Sequence, residues 1–134
     1  MPDGTYQSFF RDITERLNSQ QRLMETEAIF SHFLENSTVY VFFKDEKIRP
    51  IRLSRNYEKM LGLPLENILG KTMDELFPSE LAASMVEDDK RVLEKGEIVS
   101  VDEELEGRYY TTVKFPLAIG GKRYLAGYTL DITD

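Results

Sequence analysis

Residues 108–133 read "RYYTTVKFPLAIGGKRYLAGYTLDIT". Two runs rich in β-branched and aromatic residues flank Gly120-Gly121, the pattern of a tight hairpin whose central residues take positive φ. Alternation divides each run into two faces. Tyr109, Thr111, Val113, Phe115 and Leu117 share one, while Tyr110, Thr112 and Lys114 share the other. In the second run Tyr124, Ala126, Tyr128 and Leu130 oppose Leu125, Gly127 and Thr129. A further strand, "EIVSVDEEL" (97–105), leads into the first run through a turn at Glu106-Gly107.

Upstream, the period changes. "SELAASMVEDDKRVLEKG" (79–96) predicts a helix capped by Ser79, with Leu81, Met85, Val92 and Leu93 on its apolar face and Gly96 as its stop. "PLENILGKTMDELFP" (64–78) predicts two helical turns, and "RNYEKMLGL" (55–63) a short helix ended by Gly62. "STVYVFFKDE" (37–46) and "IRPIRLS" (48–54) predict two strands, the second short or at an edge because Pro50 has no N–H to donate. Residues 12–37 contain no Gly or Pro and predict a helix, with Asp12 and Thr14 as acceptable caps and Glu15 completing a capping box. Leu23, Thr26, Phe30 and Phe33 form a short stripe on it, but the matching upstream positions, Arg16 and Ser19, are polar. "TYQSFF" (5–10) alternates weakly and is expected to be a strand. The order of elements is that of an α+β domain with an antiparallel sheet.

Composition narrows the function. A chain of 134 residues with 41% apolar and 31% charged residues makes about one globular domain. It has no cysteine, hence no disulfide, thiolate metal site or cysteine nucleophile. A net charge of −7 disfavours nucleic acid and anionic lipid as partners. No run is apolar for long enough to span a membrane. Catalysis is disfavoured as well. The acidic clusters 87–89 and 102–104 are expected to fan out on a helix or alternate on a strand, and neither has a histidine partner or a phosphate-cradling loop.

Residues from about 27 to 133 resemble a PAS domain, the sensory module of bacterial signalling proteins. The resemblance covers about four-fifths of the chain. It rests on the order and spacing of "FLENSTVYVFFKDE", "NYEKMLGLPLENILGKTMDELFP", "DDKRVLEKGE", "TTVKFPL" and the terminal "DIT". It implies a five-stranded antiparallel sheet with short helices on one face enclosing a pocket. The chain departs from the commoner pattern after the second strand, where "RLSRNY" places Ser54 and Asn56 at positions often held by Asn and Ala.

The resemblance implies site residues. Phe42, Tyr57, Tyr110, Thr112, Lys114 and Thr129 would face the pocket, with Lys44 nearby. An inward lysine is costly unless paired. Lys114 is therefore expected either to pair with Asp88 or Asp89 or to hold a small anionic ligand. The tripeptide Asp-Ile-Thr occurs at 12–14 and again at 131–133. In PAS-like proteins a D-x-T motif ends the last strand. Asp131 and Thr133 are thus expected to couple this domain to an adjoining output segment, and Asp12 and Thr14 to end a preceding sensor domain. The expected organisation is a domain tail over 1–13, a signalling helix over 14–35 and a PAS domain over 36–134. The cofactor is not specified. Covalent flavin and a thioester chromophore need a cysteine, and the one histidine, His32, is not on the long helix that usually supplies a haem ligand. The expectation is a cytoplasmic sensing module, paired as a homodimer through the N-terminal helix and the outer sheet face. Its output would be a histidine kinase of a two-component system or a cyclic-dinucleotide enzyme such as a diguanylate cyclase. The alternative is a ligand-free spacer that transmits conformational change between neighbours.

Overall fold

The computed structural model describes residues 3–133, with side chains from residue 8. The elements are α1 (Asp3–Asn36), β1 (Tyr40–Lys44), β2 (Pro50–Leu53), α2 (Tyr57–Leu61), α3 (Leu65–Ile68), α4 (Met73–Leu76), α5 (Ser79–Lys95), β3 (Val99–Leu105), β4 (Arg108–Ile119) and β5 (Lys122–Asp131). They fall into two units, residues 1–33 and residues 34–134.

The second unit is a five-stranded antiparallel sheet in the order β2-β1-β5-β4-β3. The hairpin expected from the sequence is there: Gly120 and Gly121 sit at φ 58° and 79°, and Ile119 pairs with Lys122. Glu106 and Gly107, at φ 52° and 82°, close the β3–β4 turn in the same way. β2 has four residues at the sheet edge, and Pro50 contributes its carbonyl to the Gly70 N–H at 2.8 Å. Ser54 and Asn56, where the chain departs from the commoner pattern, anchor the end of β2. Ser54 Oγ accepts from the Val41 N–H at 2.8 Å and donates to Asn56 Oδ1.

The inner sheet face carries Phe42, Leu53, Val99 and Leu125. Tyr57, Ile68 and Val92 from the helices pack with them to form the core. Gly127 is needed here. A Cβ at that position would overlap the Phe42 ring and the Val113 carbonyl, so the absent side chain makes room for the ring against the central strand.

Three expectations are corrected. Residues 5–10 are helical, not a strand, because α1 runs unbroken from Asp3. Six alternating residues fit either period, and the long Gly- and Pro-free stretch after them extends the helix backwards. Asp12 and Thr14 therefore lie inside a helix and cap nothing, and Thr14 Oγ1 donates back to the Phe10 carbonyl at 2.9 Å. α5 has Pro78 as its N-cap, one residue before the expected Ser79. Its buried face is Ala82, Asp89 and Val92, with Leu81, Met85 and Leu93 at its margin.

In the first unit, every residue from 8 to 29 is exposed. Phe10, Ile13, Leu17 and Met24 stand in three-, four- and seven-residue steps along α1, a second apolar stripe beside the one beginning at Leu23. No helix among the described residues is long and apolar enough to cross a membrane.

Candidate functional site

Strand alternation places Phe42 on β1, Tyr110, Thr112 and Lys114 on β4, and Thr129 on β5 on one face of the sheet. Register then aligns them: Lys114 and Phe42 both pair with Gly127, and Thr112 pairs with Thr129. Short helices α2 to α4 and the long α5 lie over that face. Phe42, Tyr57, Thr112, Lys114 and Thr129 line a cavity of about 40 Å³. Tyr110 lines a neighbouring cavity of about 40 Å³ that also touches Tyr57 and Thr129. The Thr112 and Thr129 hydroxyls are 2.8 Å apart.

Four charged groups meet at one end. Lys44 Nζ donates to Asp89 Oδ2 at 2.7 Å and lies 3.3 Å from Met73 Sδ. Lys114 Nζ lies 2.9 Å from Asp89 Oδ1 and 3.9 Å from Glu103 Oε1. Lys44, Lys114 and Asp89 are buried, and the Glu103 side chain is 10% exposed. The Lys114–Asp89 approach is Coulombic, not a directed hydrogen bond. Lys114 Nζ, Asp89 Oδ1 and Glu103 Oε1 are all buried without a hydrogen bond among the described residues. Burial pushes the Lys44 ammonium below its ordinary pKa, against the opposing pull of Asp89. Burial raises the Glu103 carboxyl, with Lys114 opposing. Burial also pushes the Tyr57 phenol up.

Of the two acids expected to pair with Lys114, Asp89 does so. The acidic runs 87–89 and 102–104 fan out and alternate as expected, and a single residue from each, Asp89 and Glu103, turns inward towards Lys114. Asp89 is readable on α5 because Ala82, Asp89 and Val92 recur at helical spacing. Glu103 comes after Val99 and Val101 in the inward phase of β3. What the sequence did not show is that β3 and α5 meet over the same lysine. No group of His, Cys, Asp or Glu that could hold a metal ion occurs among the described residues.

The end of β5 forms a second cluster. Arg108 Nε donates to Asp131 Oδ2 at 2.8 Å, and the Thr133 N–H donates to Asp131 Oδ1 at 2.9 Å. The Tyr109 N–H donates to Thr133 Oγ1 at 2.7 Å, and the Ile132 N–H to the Tyr109 carbonyl at 2.9 Å. The Thr133 N–H, then the Arg108 guanidinium, hold the Asp131 carboxyl below its ordinary pKa. Both side chains of the motif thus clasp the start of β4. Asp12 and Thr14, on α1, are in the other unit.

A family profile described as the PAS fold matches residues 34–134. The chain belongs to the PAS-fold family. Solved structures align with it at low identity. A domain of an HTR-like protein from Haloarcula marismortui superposes with a TM-score of 0.64 at 18% identity, covering 72% of this chain and 100% of that one. VqmA from Vibrio cholera, solved as a ligand–DNA complex, gives 0.69 at 23% identity, covering 81% of this chain and 52% of that one. A sensory box sensor histidine kinase from Vibrio cholerae gives 0.62 at 14% identity, covering 87% and 99%. No curated protein matches the chain. PAS domains of sensor histidine kinases are signal-sensing modules, generally non-catalytic by themselves, and PAS domains often dimerise.

Proposed function

We propose that this chain is the sensing segment of a cytoplasmic signal-transduction protein, and that the state of the cavity is relayed through Asp131 and Thr133 to the output. One observation carries the reading: a packed aromatic chain joins the cavity to the exit clasp. The Tyr57 ring lies 5.2 Å from Tyr40, and Tyr40 lies 6.1 Å from Tyr110. Tyr110 pairs across the sheet with Asp131, and its neighbours in the chain, Arg108 and Tyr109, hold the clasp. A ligand that shifts Tyr57 thereby presses on the residues that hold the last strand's end. Likeness to a sensor histidine kinase supports an output of that kind, with a cyclic-dinucleotide enzyme as the other. The active form is a homodimer through α1 and the outer sheet face, where Tyr109, Tyr128 and Leu130 are exposed. Residues 1–13 belong to a preceding sensor segment.

The test is a pair of measurements. Native mass spectrometry with a denatured control should show an adduct that is lost on denaturation. In the full-length protein, Asp131→Ala should uncouple signal from output while the domain stays folded. An unfolded variant would overturn the relay. A second reading, a ligand-free spacer, is favoured by the cavity's small volume and its internally paired charges. It predicts a clean protein mass together with the same Asp131→Ala uncoupling.

A further inference from the structure

Two cations, Lys44 and Lys114, and the Glu103 carboxyl line the cavity, and Asp89 pairs with both lysines behind it. With all four ionised they balance. Lys114 and Glu103 both line the cavity, and their Nζ and Oε1 atoms are buried without a hydrogen bond among the described residues. The 3.9 Å between them is too long for a direct hydrogen bond. A group lying against both would have to accept from the ammonium and donate to the carboxylate at once. A ligand carboxylate accepts from Lys114 but sets a second negative charge against Glu103. A ligand ammonium satisfies Glu103 and faces two lysines. Either ion adds an uncompensated charge to a buried, balanced cluster. The count weighs against the anionic ligand expected from Lys114 alone.

Size limits the ligand as well. The two cavities, each of about 40 Å³, share Tyr57, Phe77, Met85, Glu103 and Thr129. A water occupies roughly 10–15 Å³ on this measure, so the space suits a molecule of a few heavy atoms, with Met85 able to give way at the shared wall. The remaining lining is mostly apolar, with the Thr112–Thr129 hydroxyl pair and the Tyr57 phenol as its other polar groups.

We propose that the cavity takes a small uncharged molecule bearing a donor and an acceptor side by side, a hydroxyl or a primary amide, which bridges Lys114 and Glu103. This rests on reading the cavity as the sensing site. The test compares two molecules of one shape, acetamide and acetate, titrated into the isotope-labelled chain near neutral pH. Amide resonances of Thr112, Gly127 and Thr129 report binding by NMR. Acetamide should bind at least about tenfold more tightly than acetate, equivalent to about 1.4 kcal/mol. Glu103→Gln leaves one positive charge unbalanced and should reverse the order. Lys114→Met removes the donor and should abolish the acetamide shifts. The same spectra show whether each variant is folded, and the comparison in the native chain needs neither. Preference for acetate in the native chain would overturn the uncharged class while leaving a sensing cavity. Shifts with neither molecule would mean that water alone fills the space, and would overturn both.

Discussion

Asp89 balances two lysines with one carboxylate. Lys44 takes Oδ2 and Lys114 lies against Oδ1. Removing one partner of a buried ion pair is far costlier than replacing the whole set with apolar groups, because a charge is left uncompensated. Asp89→Asn should therefore cost about 3–5 kcal/mol in urea-induced unfolding. Lys114→Met should cost less, since Asp89 keeps Lys44 and Glu103 can take up a proton. Glu103 also gives the stability a pH dependence. Its folded pKa is raised above the ordinary carboxylate value, so between the two values the folded state binds more protons than the unfolded one. Its contribution is complete below the ordinary value and is lost as pH rises through the raised one. Thermal melts across that window should show this loss, and Glu103→Gln should flatten it. Gly127→Ala should destabilise by about 1–3 kcal/mol through overpacking against Phe42.

Among elements, the exit clasp and the central strand have separable stabilities. Asp131 and Thr133 are near the surface, and their side chains bond the start of β4 and, from Asp131, the Thr133 N–H. Asp131→Ala should speed hydrogen exchange at the Tyr109 and Thr133 amides while leaving the melting temperature nearly unchanged. Local elements were legible in the sequence where the signal is local. The hairpin at Gly120-Gly121 needs only period-two alternation and a two-residue turn, and α2 and α5 end at glycines 62 and 96, both at φ 70°. The start of α1 is not legible, because "TYQSFF" is too short to separate the two periods. The charge cluster was only half legible. Lys114 and the inward phase of its strand can be read from alternation, but Lys44, Asp89 and Glu103 come from three other elements, and their meeting is a product of tertiary packing. The aromatic chain through Tyr40 was not legible either, since it depends on β1 pairing with β5.

At the scale of the whole molecule, the two units make different demands. Residues 34–134 hold a complete core, whereas residues 8–29 of α1 bury nothing by themselves. A helix of 34 residues spans about 51 Å. With Phe10, Ile13, Leu17 and Met24 exposed along it, pairing with a second copy is the expected cover. Light scattering should find the full chain dimeric at concentrations where residues 34–134 alone are monomeric and still folded. The sheet order has a further consequence. β5, the last strand of this sheet in chain order, is the central one, and Tyr40 pairs with Thr129. While the ribosome is still building residues before 122, β1–β2 and β3–β4 exist only as two separate ribbons, each with an open edge awaiting the same missing strand. Such edges invite pairing with foreign chains. Loss of β5 from the sheet would therefore open two such edges at once, and variants that weaken its pairing should aggregate on refolding, read by turbidity.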